Sequence, residues 1–245
     1  MKTHHTPVKL TMHSIPSADR LTPRRCGFSL VELLTVIAII SVLMTVATVG
    51  IGSLLSGKGV STAVSTTEAV FAEARTLAMG RLTNAAVLVS IQDSTNMDTY
   101  LRRLVVAYKE IDPLTNKQSG EWTLASRGVT LPEKVYFSQT LSCKDHQKGG
   151  SGIAKVTLGG SKVKRDYQGQ YLIYEFNAEG ICTTPGASFV VGTGTRAIGG
   201  TEARPRRMNS AKRDFGGFVV WRNGSTSLFH DPLQILKNGD NITFF

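Results

Sequence analysis

One uncharged stretch constrains this chain more than any other feature of its sequence. No residue from Leu33 to Gly57 carries a charge, and about 20 helical residues at roughly 1.5 Å each are enough to cross the ~30 Å hydrocarbon core of a bilayer. A single carboxylate, Glu32, precedes the stretch, and burying it in lipid costs at least about 2.5 kcal/mol unless another group pairs with it. We therefore predict a membrane helix over residues 28–55 in which Glu32 has a specific role.

The charges on either side of this stretch predict its orientation. Residues 1–27 hold five basic residues against one acidic residue, and the next charge after the apolar run is Lys58. The positive-inside rule then places the N-terminus in the cytoplasm and the rest of the chain outside the membrane. Of the formal net charge of +10, residues 1–27 carry +4, so the remainder keeps a moderate +6.

Other N-terminal signals fit this pattern less well. A secretory signal peptide has an apolar region of about 7–15 residues, and this run is longer, with only a weak cleavage site at Thr45-Val46-Ala47 inside it. Arg24-Arg25 suggests a twin-arginine signal, but only two residues separate that pair from Phe28. A plain membrane anchor would leave Glu32 unexplained.

The sequence Gly27-Phe-Ser-Leu-Val-Glu32, with the apolar run that follows, resembles the processing site of type IV prepilins and pseudopilins. The resemblance covers about 28 residues. It implies that a prepilin peptidase cuts after Gly27 and N-methylates Phe28, which makes residues 1–27 a cytoplasmic leader peptide. It also implies that Glu32 serves assembly by pairing with the new amine of Phe28 on a neighbouring subunit. The implied partners are the prepilin peptidase and N-methyltransferase, other pilins or pseudopilins, an inner-membrane assembly platform and the lipid bilayer.

A second helical segment is predicted over residues 56–83. Its apolar positions recur at steps of three and four, which is typical of a helix with one buried stripe; they are Val60, Val64, Thr67, Phe71, Ala74, Ala78 and Leu82. The helix is expected to end near residue 82. Four glycines between Gly50 and Gly59 weaken the helix before this stripe, so we expect it to bend or loosen there.

From residue 84 onward the apolar period changes towards two, which predicts an exported antiparallel β domain over 84–245. We expect strands at 85–91, 101–111, 121–125, 134–138, 153–158, 170–176, 187–191, 217–222 and 226–229. Asn223-Gly224 predicts a two-residue type I′ hairpin turn, and Asn177 to Gly180 a second turn. Residues 139–152 and 192–216 are expected to be loops. The predicted fold class is therefore α+β, with a long N-terminal helix packed on an antiparallel sheet domain.

This order of helix and then sheet resembles pilins as a whole. Phe71-Ala-Glu-Ala-Arg-Thr-Leu-Ala-Met79 and Tyr174-Glu-Phe-Asn-Ala-Glu-Gly180 resemble the FimT-like and GspH-like minor pseudopilins. Ala72 to Gly80 and Leu131-Pro-Glu-Lys-Val-Tyr-Phe137 resemble the verrucomicrobial cassette protein D family, whose role is not established. The resemblance implies a pilin-like fold and a minor subunit of a type IV pilus or a type II secretion pseudopilus. Such a subunit passes once through the bacterial inner membrane before it enters a filament.

The cysteines are expected to form one disulfide. Cys26 lies in the leader, which leaves Cys143 and Cys182 as an even pair in a compartment that permits disulfides. Their bridge would close a loop of about 40 residues and stabilise the domain by about 4 kcal/mol in the chain-entropy model. The alternative is two unpaired buried thiols.

Five cations lie close together near the end of the chain: Arg204, Arg206, Arg207, Lys212 and Arg213. They form either a solvated loop or a patch that binds the phosphates of DNA or another polyanion. The second interpretation supports a rival function, in which an exported module binds a polyanion or a surface and uses the pilin-type helix only as an anchor.

No catalytic, cofactor-binding or metal-binding pattern is found. His146 and His230 are the histidines that follow the leader, and neither lies in a cluster with metal-ligand spacing or near a nucleophile-elbow serine. The segment from Gly52 to Gly59 resembles a phosphate loop, but a glycine stands where the magnesium-binding hydroxyl is needed. We therefore predict that the protein is not an enzyme and holds no cofactor. A secreted enzyme of unrecognised type is the third alternative.

Overall fold

The computed structural model describes residues 30–149, 151–196, 205–207, 215–230, 232–235 and 245. The side chains at 42–58, 207, 232 and 233 are outside this description. The chain divides into two compact units, Met1–Ala47 and Thr48–Phe245, and each is described by itself.

A long helix, α1 (Leu30–Arg81), begins in the first unit and ends in the second. It ends one residue before the predicted position, in a Schellman motif. Thr83 N–H donates to the Ala78 carbonyl at 3.1 Å and Leu82 N–H to the Met79 carbonyl at 3.4 Å, which satisfies carbonyls that the ended helix leaves open. Leu82 has a φ of 51° and is 71% exposed. The predicted stripe therefore stops at Ala78, because Leu82 has already left helical geometry.

Eleven strands follow among the residues described, together with a short helix, α2 (Pro232–Ile235), and a 3-10 turn at Arg165–Tyr167. The strands are β1 (Ala85–Ser90), β2 (Arg103–Ile111), β3 (Gln118–Leu124), β4 (Val129–Thr130), β5 (Val135–Phe137), β6 (Lys155–Leu158), β7 (Gly169–Phe176), β8 (Ala187–Thr195), β9 (Arg206–Arg207), β10 (Phe215–Val220) and β11 (Thr226–Leu228). Nine of them overlap the nine predicted strands, so the α+β class with antiparallel pairing is confirmed.

The strands form two antiparallel sheets. Sheet A has the order β3-β2-β1-β7-β6, with β4 paired to β2; sheet B has the order β11-β10-β8-β5, with β9 paired to β8. Val87 lies between Val106 and Tyr174 in the register of sheet A, and Phe189 lies opposite Phe218 in sheet B.

The core lies where one face of α1 meets both sheets. Phe71 is 1% exposed, and its ring packs edge-on against Tyr174 and Phe176 of sheet A and against Phe189 and Phe218 of sheet B, at centroid distances of 5.1 to 6.2 Å. The Phe71 ring of the helix thus contacts both sheets. The predicted stripe is confirmed from Val60 to Ala78, all of whose members are buried.

The predicted hairpin at Asn223-Gly224 is present, but its turn type is different. Gly224 has a φ of 75°, whereas Asn223 is not among the residues with positive φ, so the type I′ turn is wrong. Gly224 N–H donates to the Trp221 carbonyl and Trp221 N–H to the Ser225 carbonyl, both at 2.9 Å. This is a type I turn closed by a glycine bulge. The Asn223 side chain accepts hydrogen bonds from Ser225, which favours the observed turn.

The predicted loop over 192–216 is wrong at both ends. Strand β8 continues to Thr195, where it pairs with β9, and β10 already begins at Phe215. Two of the glycines that suggested a loop, Gly192 and Gly194, are instead packing positions, because a Cβ on either would lie 2.8 Å from the Phe245 ring. Glycine in a strand often marks such a close approach.

Candidate functional site

The N-terminal part of α1 presents apolar side chains on all sides. Every residue from Leu30 to Ser41 is exposed, and the eight large hydrophobic residues in this segment are between 45% and 79% exposed. A helix that is apolar all round is normally buried in a core or in a membrane. Residues 30–41 therefore form an apolar surface that no described residue covers.

Glu32 lies in the first turn of α1 and is exposed. Its backbone carbonyl accepts a hydrogen bond from Thr35 Oγ1 at 2.8 Å. A carboxylate in the first helical turn is favourable, because it faces the positive end of the helix dipole. The predicted processing residues Gly27 and Phe28, with the rest of the leader, lie outside the described residues.

Within the part of the chain that the structure describes, no helical stretch is both long and apolar enough to span a bilayer.

The glycine cluster from Gly50 to Gly59 lies inside α1, which is assigned as helix through these positions without a break. Glycine at these positions lowers helix stability without interrupting the backbone hydrogen bonds. The expected bend or loosening there stays a prediction.

Cys143 and Cys182 are free thiols, so the structure lacks the predicted disulfide between them. Each sulfur has its own local contacts: Cys143 Sγ lies 3.4 Å from the Asp145 carbonyl and 3.6 Å from Ser188 Oγ, and Cys182 Sγ lies 3.8 Å from Thr184 Oγ1. Burial raises the pKa of the Cys182 thiol, which favours the protonated and less reactive form.

A tyrosine hydroxyl is buried beside these cysteines. Tyr174 is fully buried and donates to the Ser188 carbonyl at 2.7 Å. Burial raises the pKa of this hydroxyl well above its ordinary value, so it stays neutral and acts as a donor. It links β7 of sheet A to β8 of sheet B across the core.

The predicted basic cluster is only partly described. Arg206 and Arg207 form β9 beside the end of β8, and the Arg206 side chain is exposed. Arg204, Lys212 and Arg213 lie outside the described residues. The predicted patch of five cations therefore stays a prediction.

One surface feature was not predicted from the sequence. A cleft of roughly 520 Å³ opens on the outer face of sheet B, over β10 and β11. Val219, Trp221 and Phe229 line it from the sheet, the loop from Asp145 to Lys148 lines it from one side, and Gln234 of α2 also contributes. We call it the outer-face cleft. Trp221 is a sequence signal that could have indicated it, but a single aromatic residue does not distinguish a cleft from a core.

Two polar side chains described in the wall of the outer-face cleft are bound to the backbone. His146 Nε2 lies 2.9 Å from the Gln234 carbonyl, so this nitrogen carries the proton and donates. The Asp145 carboxylate accepts the backbone N–H groups of Gln147 and Lys148. Among the residues described, no three His, Cys, Asp or Glu side chains are arranged to hold a metal ion.

Comparison with known proteins identifies one sequence motif in this chain. The family model described as the prokaryotic N-terminal methylation motif matches residues 22–48. No curated protein matches the chain. Among solved structures, the minor pseudopilin EPSH from the type II secretion system of Vibrio cholerae is similar at 12% sequence identity and a TM-score of 0.35, over 71% of this chain and 95% of that chain.

Proposed function

We propose, from the premise that this chain carries a prepilin-type N-terminal methylation motif, that it is processed and then becomes a minor subunit of a type IV pilus or a type II secretion pseudopilus. The observation that carries the proposal is the segment directly after the cleavage position. Residues 30–41 expose apolar side chains on every side, and this surface must be covered by lipid before assembly and by neighbouring helices afterwards.

The residues at the start of the motif have separate roles in this proposal. Cutting between Gly27 and Phe28 removes the leader and creates a positively charged amine at Phe28. Glu32 of one subunit then pairs with this amine on a neighbour. Two opposite charges that pair in an apolar environment cost less than either charge alone, so the pairing favours the assembled filament over the free subunit.

The proposed location follows from the same segment. Residues 28–55 would lie in the bacterial inner membrane with the leader in the cytoplasm, because the basic residues precede the apolar run. The β domain would then lie outside the membrane and, after assembly, on the surface of the filament.

Processing is tested by producing the full chain with and without a prepilin peptidase and determining the mass of the product. We expect loss of residues 1–27 and the addition of one methyl group to Phe28. Gly27→Leu should block cleavage, because the proposed cut follows this glycine and leucine would add a bulky side chain directly beside it. An uncut wild-type chain in the presence of an active peptidase would contradict the proposal.

Assembly is tested with Glu32→Gln, which nearly keeps the size of the side chain and removes its charge. The variant should be cut normally and keep a folded domain, but fewer copies should be counted in sheared filaments. Glu73→Gln is the matched control, since it makes the same change at an exposed position further along the same helix. Normal incorporation of the Glu32 variant would refute the pairing, and failed cleavage would instead assign Glu32 to peptidase recognition.

A further inference from the structure

Strand β11 forms one edge of sheet B. It pairs with β10 on one side, and no strand in the described part of the chain pairs with its other side. An exposed strand edge presents backbone N–H and C=O groups that can pair with another chain. The edge of β11 is therefore a candidate surface for the addition of a strand.

The hydrogen bonds of the hairpin show which backbone groups face this free edge. Trp221 N–H donates to the Ser225 carbonyl and Phe229 N–H to the Gly217 carbonyl, so the backbone groups of Ser225 and Phe229 face β10. Because these directions alternate along an antiparallel strand, the backbone groups of Thr226 and Leu228 point away from the sheet. An incoming strand would bond to these two residues.

Two large apolar side chains lie partly exposed beside the same edge, one on each face of the sheet. Trp221 is 39% exposed in the outer-face cleft. Leu228 also borders the cleft and is 45% exposed, but it lies opposite the core residue Phe218 in the register, so its side chain is on the other face of β11. Trp221 Nε1 donates to Ser227 Oγ at 2.7 Å, which fixes the indole beside β11. Side chains alternate along a strand, so an added strand would cover Trp221 with one apolar residue and Leu228 with the next.

The charges around the outer-face cleft favour an acidic partner. Lys148 and Arg222 line the cleft and are both exposed. The acidic residue in its wall, Asp145, already accepts two backbone hydrogen bonds at 3.1 and 3.2 Å. Among the described residues neither Lys148 nor Arg222 forms an ion pair, so both can pair with carboxylates of a partner.

We propose that the β11 edge and the outer-face cleft together bind an extended acidic segment of a partner protein. The segment adds to sheet B as a further antiparallel or parallel strand and hydrogen-bonds to Thr226 and Leu228. One of its apolar side chains enters the cleft against Trp221, and carboxylates beside it pair with Lys148 and Arg222. Backbone pairing supplies affinity in this mode of recognition, and the side-chain positions supply specificity.

The test uses the full chain in a nonionic detergent and a fluorescent nine-residue peptide. The peptide alternates threonine and valine, with a central phenylalanine and a glutamate on each side of it. A second peptide carries lysines in place of the glutamates. We expect the acidic peptide to bind with a Kd below about 1 mM and about tenfold more tightly than the basic peptide, measured by fluorescence anisotropy against empty micelles.

Charge reversal decides whether binding occurs at this place. The double variant Lys148→Glu and Arg222→Glu should reverse the preference, so that the basic peptide binds more tightly. The control variant, Lys155→Glu with Lys164→Glu, makes the same change in net charge at two exposed lysines outside the cleft and should keep the wild-type preference. Equal binding of both peptides, no binding of the acidic one, or an equal response to both double variants would overturn the proposal.

A second variant tests the strand edge itself. Leu228→Pro removes an outward-facing N–H but none of the bonds between β10 and β11, so it should abolish peptide binding. Its unfolding midpoint shows whether the hairpin is intact. Undiminished binding by a folded Leu228→Pro variant would exclude pairing with the edge, and the charge-reversal result decides the proposal independently if this variant does not fold.

Discussion

Residues 30–41 and residues 60–78 belong to the same helix but differ in whether their apolar side chains are buried. The first segment is almost entirely apolar and is exposed at every position. The second has fewer large apolar residues, yet its stripe is buried, with Val60 at 5%, Phe71 at 1% and Ala74 at 0% exposure. Its outward positions carry serine, threonine, alanine and glutamate.

The difference shows that apolar content alone does not predict burial by the chain itself. A one-sided stripe matches one protein surface, so the two sheets can cover it completely. An all-round apolar surface has no polar side to leave in water and needs an apolar environment on every side. The second segment is thus explained by folding of the domain, and the first by the lipid and the neighbouring helices of the proposed function.

The largest expected difference between the segments comes from truncating one side chain in each. Phe71→Ala should lower the free energy of unfolding of the β domain by about 3–5 kcal/mol, because it leaves a cavity between both sheets. Ile37→Ala should change it by less than about 0.5 kcal/mol, since that side chain is exposed. Guanidinium unfolding of the full chain, followed by the fluorescence of Trp122 and Trp221, gives both values. Similar losses in the two variants would break the comparison.

Enlarging an alanine should show the same contrast with a smaller effect. Ala74 is fully buried and Ala38 is exposed, so the two positions offer an identical substitution in one helix. Ala74→Leu should destabilise the domain by about 1–3 kcal/mol through overpacking, whereas Ala38→Leu should leave its unfolding unchanged. A neutral Ala74→Leu variant would mean that the helix stripe is loosely packed against the sheets.

Local periodicity predicted the helix stripe and nine strands, since both depend on neighbouring residues in the sequence. The errors arose where distant residues decide the structure. Gly192 and Gly194 were predicted to lie in a loop because glycine is common in loops. They are strand residues, and they lack a side chain because the Phe245 ring packs against them. Leu82 was predicted as part of the stripe because it keeps the helical spacing. The helix ends there in a Schellman motif, and the glycine that usually marks such an ending is replaced by Leu82 itself.

Only part of the candidate site could be predicted from the sequence. Glu32 and the apolar run could be identified from the sequence, because a continuous motif contains them. The outer-face cleft could not, because Lys148, Trp221 and Gln234 come together only when the 145–148 loop and α2 pack on sheet B. The prediction of a disulfide is wrong for a similar reason. Cysteine count and compartment suggest that the two cysteines pair, but the fold gives each sulfur its own partner.

The glycine cluster between the two segments offers a third test. Gly52→Ala together with Gly57→Ala should stabilise the helix by up to about 1 kcal/mol per site and slow amide exchange over residues 50–59. Gly80→Ala is the control, because a Cβ there meets nothing within 4 Å and its effect should stay near the helix end. If residues 50–59 already exchange as slowly as their flanks in the wild-type chain, the expected joint does not exist.

The smallest expected effect on the free energy of unfolding comes from removing one carboxylate from each segment. Thr226 Oγ1 donates to Glu68 Oε1 at 2.7 Å, which ties the second segment to the edge strand β11. Glu68→Ala should therefore cost about 0.5–1 kcal/mol of unfolding free energy, and Thr226→Val should add little to it, because both changes remove the same hydrogen bond. Glu32→Ala should leave unfolding of the domain unchanged, since its carboxylate is exposed in the first unit. A loss of domain stability in the Glu32 variant would show that this carboxylate supports the fold of its own chain. The conclusion that only the second segment of the helix stabilises the domain would then be wrong.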